Sequence, residues 1–410
     1  MNGRETMKRR EDSGYPKIGI YAGLGTSHSW LWFMEIFDRM GLHDVRFLTE
    51  AHLKKDGLNS MDVVAVSGGD TFAIARGLGP RGAKTLRGFI ENGGLYIGSC
   101  AGAYLPLHSS KEDLSLFNFV PARIANLARI LPKAQRLKEK FCTAYGCAFI
   151  FHPVREAVQV ATNGFKPFSK TRSFHAPLYG GPPMIAKEPA QILATYSGFT
   201  DQTVFLVDEQ LAAETVLGKA AVIRQKMGKG YLHLYGPHFE HPRFTVANQC
   251  LKDAMLWDLS NNRTRSRDRW LNQTPISGQM CRDLLRNIKR EISHSRITAV
   301  SLETLPVRWT IGNKVYETAK IREFIEPVWK RILRLERQNQ MVIKPGQYDQ
   351  LMRHAMETTA VLRQAKRGIK DGLDTVQLAK RMFAELNRVA TLFLEIYFRT
   401  QRSLHRRRHP

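Results

Sequence analysis

Gly94-Leu95-Tyr96-Ile97-Gly98-Ser99-Cys100-Ala101-Gly102-Ala103-Tyr104 runs a short apolar strand directly into a cysteine set between small residues. An apolar segment compatible with a helix follows. A turn sharp enough to lift a side chain off the end of a strand leaves no room for bulk two residues before and two residues after it. Gly98 and Gly102 meet that condition. Cys100 is thereby expected at the carboxyl edge of a sheet, above the N-terminus of the following helix, where a thiolate is favoured over a thiol. A small buried cysteine closing a core strand fits the same stretch equally well, so the reading needs a partner from elsewhere in the chain.

The partner stands far downstream. Gly228-Lys229-Gly230-Tyr231-Leu232-His233-Leu234-Tyr235-Gly236-Pro237-His238-Phe239-Glu240 leaves a glycine turn as another strand and ends in His-x-Glu. Residues two apart in an extended segment point the same way, so His238 and Glu240 can share a face. A histidine beside Cys100 takes the thiol proton, and the glutamate holds the ring in one tautomer and orientation. Taken alone, His238 is an ordinary structural or surface histidine. The two motifs together favour a nucleophile and its base.

Outward from these segments, strand-like runs alternate with helical patterns. The runs are Lys17 to Ala22, Val45 to Thr49, Val63 to Ser67, Leu95 to Ile97 and Leu232 to Tyr235. Between the first two, Trp30, Phe33, Met34, Phe37 and Met40 recur at helical spacing and read as core. Such alternation predicts parallel strands joined by crossover helices. Sites in open sheets of this kind lie off the carboxyl ends of the strands, where Cys100, Gly69 and His238 all fall.

In these motifs the chain resembles the class I glutamine amidotransferase superfamily. That superfamily's nucleophile is the cysteine of Gly-x-Cys-x-Gly, and its partners are a late His-x-Glu. More narrowly it is similar to the amidotransferase-like domain at the N-terminus of large biotin protein ligases. The closer likeness rests on Ile18 to Ser27, Ser67-Gly68-Gly69-Asp70, Gly98 to Tyr104, Pro177-Leu178-Tyr179-Gly180-Gly181-Pro182 and Gly236 to Glu240, which fall in family order between about residues 15 and 258.

The resemblance implies catalytic roles for Cys100, His238 and Glu240. It implies an oxyanion hole from the Gly69 and Ala101 N–H groups, and a substrate pocket that includes Gly68, Asp70, Tyr104, Gly180 and Gly181. Neither a metal nor a cofactor is implied. The fold class it implies for residues 15–258 is α/β: a flavodoxin-like, class I amidotransferase-like, mostly parallel sheet with flanking helices; the helical spacing after it, outside the resemblance, predicts a basic all-α C-terminal region. Tyr104 departs from the family pattern. Members that use glutamine place glutamine or a similar polar residue there, which counts against glutamine as substrate while leaving the acyl-transfer groups intact. Nothing after residue 260 resembles a biotin ligase catalytic domain.

The chain of 410 residues is expected to divide into a flexible basic N-terminus (1–14), the amidotransferase-like domain (15–258), a polar Arg-rich linker (259–270) and a basic helical domain (271–410). In the last, Ile321, Phe324, Ile325, Val328, Trp329, Ile332 and Leu333 follow helical spacing, and 348–369 and 374–402 read as two more helices. No run is long and apolar enough for a spanning helix, and the N-terminus lacks a secretory h-region. The five cysteines (Cys100, Cys142, Cys147, Cys250, Cys281) form an odd, sparse set without zinc-ligand pairing, which suits a reducing, cytoplasmic setting.

Of the net charge of +25, about +17 lies after residue 260, from 31 Lys plus Arg against 14 Asp plus Glu. Such a surface attracts a polyanion or an acidic protein partner. Three function classes stay open. One is a cysteine hydrolase or amidase acting on a small-molecule or peptide-like acyl substrate. The others are an inactive amidotransferase-like binding or regulatory module, and an interaction protein that uses the basic helices.

Overall fold

A computed structural model describes residues 16–55, 57–136, 149–168, 171–261 and 275–408. The expected N-terminal segment 1–14, most of the linker, and Cys142 with Cys147 lie outside the described residues. Nine strands form the path of the central sheet. They are β1 (Ile18–Tyr21), β2 (Val45–Leu48), β3 (Val63–Val66), β4 (Leu95–Ser99), β5 (Ala157–Thr162), β6 (Ser173–Pro177), β7 (Gln191–Phe199), β8 (Ala220–Met227) and β9 (Gly230–Tyr235). Their order is β2-β1-β3-β4-β9-β8-β7-β5-β6, and two short strands, Ala122–Ile124 and Met184–Ala186, attach beside β8.

The five strands from β2 to β9 are parallel to one another, and the remaining neighbours pair antiparallel. The parallel half matches the five runs expected from the sequence. Its strands are mostly apolar because both faces are covered, and β3 is apolar at every position. In β3, Val63 and Ala65 face one core while Val64 and Val66 face the other. Helix α1 (Trp30–Arg39) covers the first face and α2 (Thr71–Glu91, interrupted at Gly79) the second. Residues Ala101–Tyr104 form a single turn, α3, after β4, and α4 (Thr245–Asn261) closes the front region.

The C-terminal region is built from α5 (Gly278–Glu303), α6 (Ala319–Gln338), α7 (Gln347–Lys370) and α8 (Val376–Arg408). To the helices expected there the structure adds two short antiparallel pairs. One joins Ile276–Ser277 to Gln340–Met341. The other is a hairpin of β10 (Arg308–Ile311) and β11 (Lys314–Glu317). Among the described residues, no helix is long and apolar enough to cross a membrane.

This region shares one buried cluster with the first face of the sheet, in which Phe47 meets both Trp30 and Phe398. Trp30 Nε1 donates to Asn387 Oδ1 at 2.9 Å, and Asn387 Nδ2 donates to the Ala22 carbonyl at 2.7 Å. Part of the basic charge is consumed internally. Arg331 reaches Asp38 at 2.8 Å and Glu35 at 3.0 Å, Tyr397 OH donates to Asp38 at 2.9 Å, and Arg402 pairs with Asp44 at 2.6 Å.

Burial pushes the Asp38 carboxyl up. Hydrogen bonding from His43 and the Arg331 charge outweigh that and hold it below its ordinary value. Asp38→Ala should therefore destabilise the fold by about 3 kcal/mol, because it leaves Arg331 buried with Glu35 alone. Since the folded pKa is depressed, this contribution is present above the unfolded carboxylate value and disappears as pH falls through the folded one. Denaturant midpoints of parent and variant at neutral and acid pH check it: the gap should narrow in acid.

Candidate active site

Cys100 sits at the step from β4 to α3 with φ 52° and ψ −109°, a left-handed conformation that a non-glycine residue adopts only when its surroundings impose it. The Cys100 N–H donates to the Tyr235 carbonyl at 3.0 Å, tying the elbow to the end of β9. A Cβ on Gly98 would strike the Gly102 carbonyl, and a Cβ on Gly102 would strike the Val66 carbonyl. The spacing seen in the sequence is therefore a packing requirement between β4, α3 and β3.

His238 follows β9 and Glu240 lies two residues on, both buried. His238 Nδ1 is 2.6 Å from Glu240 Oε1, and Ser99 Oγ donates to the other carboxylate oxygen at 2.8 Å. With Nδ1 engaged, the ring has Nε2 left to serve the thiol of Cys100, on which His238 acts as the main group favouring the thiolate. Gly68 leaves space for that edge: a Cβ there would lie 3.0 Å from His238 Cε1. Trp32 stands edge-on to the imidazole, ring centroids 5.0 Å apart.

The electrostatics follow from this packing. Burial raises the Cys100 thiol and Glu240 adds to the rise, but the charge and hydrogen bond of His238, with the charge of Lys314, bring it below the usual thiol value. Burial lowers His238, yet Glu240 and Cys100 hold it up to about 9. Thiolate and imidazolium are thus stabilised as a pair. The helix-terminus contribution expected for the thiolate is limited, because α3 is one turn long.

A cavity of about 1520 Å³ opens over Cys100. Gly68, Gly69, Asp70, Ala101, Tyr104 and Gly180 line it. Gly181 does not, and it instead packs where a Cβ would strike the Gly236 carbonyl. Gly69 has φ 155° and a backbone approach to the Gly25 carbonyl that admits no Cβ. Tyr104 OH accepts from Asn126 Nδ2 at 2.8 Å. Asp70 caps α2 through the Phe72 and Ala73 N–H groups. Its other oxygen accepts the Asn313 N–H at 2.9 Å, which fastens the turn of the β10–β11 hairpin over the site.

Lys314 enters the cavity from that turn. Sequence reasoning did not reach Lys314 or Ser99. Gly312-Asn313 between the alternating Trp309-Thr310-Ile311 and Val315-Tyr316 is a two-residue hairpin signal that could have located the lysine. Ser99 is legible only once its neighbour is known to face Glu240. Among the described residues, no group of three or more His, Cys, Asp or Glu side chains is arranged to hold a metal ion.

Sheet and elbow together define an open α/β architecture with a cysteine at the carboxyl edge of its parallel half. Residues 17–112 match the family model described as biotin-protein ligase, N terminal, and the C-terminal region has no family match. No curated protein matches the chain. Among solved structures, a ThuA-like protein from Bacteroides uniformis is 14% identical at a TM-score of 0.38, covering 61% of this chain and 95% of that one. A glutamine amidotransferase from Thermotoga maritima is 12% identical at a TM-score of 0.31, covering 60% and 99%. A β-galactosidase from Bacillus circulans sp. alkalophilus is 12% identical at a TM-score of 0.32, and the match spans 33% of its length and 64% of this chain.

Proposed function

We propose that this protein is a cysteine-dependent amidase or hydrolase that works by acyl transfer. The observation that carries the reading is the buried run from Cys100 through His238 to Glu240, whose charges favour a thiolate beside an imidazolium. The Cys100 thiolate adds to the substrate carbonyl carbon. The oxygen takes up the negative charge against the Gly69 and Ala101 N–H groups. As the tetrahedral species collapses, the carbon–nitrogen or carbon–oxygen bond breaks and the His238 imidazolium gives its proton to the leaving group. The resulting thioester is attacked by water, whose proton goes to His238. The carbon–sulfur bond then breaks, releasing the acid and returning the thiolate. Glu240 keeps the Nδ1 proton in place throughout, and Ser99 orients Glu240.

An activated ester tests this directly. Exposure to p-nitrophenyl acetate should place an acetyl group on Cys100, located by peptide mass spectrometry, and nitrophenolate release should fall by at least about a hundredfold in Cys100→Ala. Acetylation that spares Cys100, or release unchanged in that variant, would overturn the reading.

A further inference from the structure

We infer that the pocket takes an acyl or carboxamide compound bearing an anionic group, a carboxylate or a phosphate, and that Lys314 on the C-terminal hairpin binds that group. The inference rests on the proposed nucleophile and adds a substrate class to it.

Charge and supply of partners carry the argument. Eight lysines and arginines line the cavity against four carboxylates. Three of those carboxylates are already engaged: Asp70 with α2 and Asn313, Glu156 with the Tyr179 hydroxyl, and Glu317 with Arg308. Lys314 forms no ion pair among the described residues, although its ammonium is deep enough for burial to lower its pKa. The Cys100 and Asp70 charges favour the ammonium from nearby, but neither forms an ion pair with it, and an anionic ligand that does so offsets the cost of its burial. The hairpin is not free to withdraw it. Asn313 N–H and Nδ2 both donate to Asp70, at 2.9 and 3.3 Å, and Gly312 takes the positive φ of 61° that the tight turn requires.

The surrounding histidines support the same assignment. His28 is driven well below its ordinary value by burial and then by the charges of Lys320 and Lys314. His152 falls to about 3 through burial, Lys314 and Arg155. Both are thus neutral, in a field already positive. His28 Nε2 and His152 Nδ1 are buried on the cavity wall with no hydrogen-bond partner among the described residues. Neutral imidazole nitrogens can complete the coordination of an anion's oxygens by donating a proton, with the lysine supplying charge. The reacting carbonyl sits over Cys100, and the anionic group lies on the side of the cavity closed by the hairpin.

Two alkylating reagents of similar size separate this inference from the one beneath it. In each, the Cys100 sulfur displaces iodide from a methylene carbon, but iodoacetate carries a carboxylate and iodoacetamide is neutral. The ratio of the two rates cancels the thiolate fraction, which Lys314 also affects. For Cys100 in the full chain, the iodoacetate-to-iodoacetamide ratio should exceed that of free 2-mercaptoethanol in the same buffer by at least about tenfold. It should collapse toward that reference in Lys314→Met and largely return in Lys314→Arg. Protection of Cys100 from iodoacetamide by inorganic phosphate, set against protection by glutarate, then separates phosphate from carboxylate.

Fast iodoacetamide labelling with no iodoacetate preference in the parent would overturn the anion site and leave the nucleophile standing. A preference that survives Lys314→Met would remove Lys314 from the role. Slow labelling by both reagents would overturn the nucleophile, and the substrate class with it.

Discussion

In His238→Ala, alkylation of Cys100 by iodoacetamide at neutral pH should fall by at least about tenfold. In the parent, burial works against the thiolate, and the His238 imidazolium opposes burial most strongly. His238 itself titrates at about 9, so it stays charged across the neutral range and lends its field to the sulfur there. With the ring gone, the desolvation of a buried sulfur and the repulsion from Glu240 are left facing Lys314. The thiol pKa must rise.

Each unit of rise removes a factor of ten in thiolate at pH values below it, and roughly half of that, on a logarithmic scale, returns through stronger intrinsic nucleophilicity. The sign can be checked across pH. The parent rate should level off first, and the variant rate should keep climbing until, in strongly alkaline buffer, the two approach one another. Mass-spectrometric labelling of Cys100 against the buried Cys250 and Cys281 provides the measurement within one sample. Superposed profiles would mean that the pair is not electrostatically coupled.

The groups in this experiment were largely readable before any coordinates, and the reason is physical. Cys100, Gly98 and Gly102 are constrained by backbone sterics that only small residues satisfy, so the constraint is written locally. The parallel strands were equally visible, because a strand buried on both faces is apolar at every position, as in Val63–Val66. The antiparallel extension was not. In Gln191–Phe199 exposed and buried positions are mixed, and register shifts fall between Ile192 and Ala194 and between Tyr196 and Gly198, so no clean period survives in the sequence.

Lys314 was hidden for a different reason. It is one basic residue in a strongly basic region, and what sets it apart is the length of chain that the fold closes to bring Asn313 to Asp70. Long-range closure leaves no local pattern. The same holds for Asn387, an unremarked polar residue on a helix that turns out to bridge Trp30 and Ala22.

Gly102→Ala should destabilise the fold by about 3 kcal/mol, and any molecules that remain folded should lose the alkaline-shifted dependence of Cys100 on His238. The added methyl points at the Val66 carbonyl, which ends β3, and its next-nearest contacts are with the same residue. Neither side can yield cheaply. On one side, Tyr96 OH holds the Gly102 carbonyl at 2.7 Å, and a Cβ at Gly98 would already collide with that carbonyl. On the other, Val66 runs directly into Ser67, whose carbonyl accepts the Gly102 N–H at 3.1 Å, and then into Gly68 and Gly69.

Pushing α3 off β3 therefore moves the thiol and the Gly69 loop apart together, which is the displacement an acyl-transfer site tolerates least. Gly88→Ala is the matching control. It makes the same chemical change inside α2, where a Cβ meets nothing within 4 Å, so it should be neutral or stabilise by about 0.5–1 kcal/mol through the unfolded chain. The denaturant midpoint should fall in Gly102→Ala and stay level or rise in Gly88→Ala. A Gly102→Ala protein as stable as the parent, with His238-dependent labelling intact, would show that the elbow is looser than its glycine spacing demands.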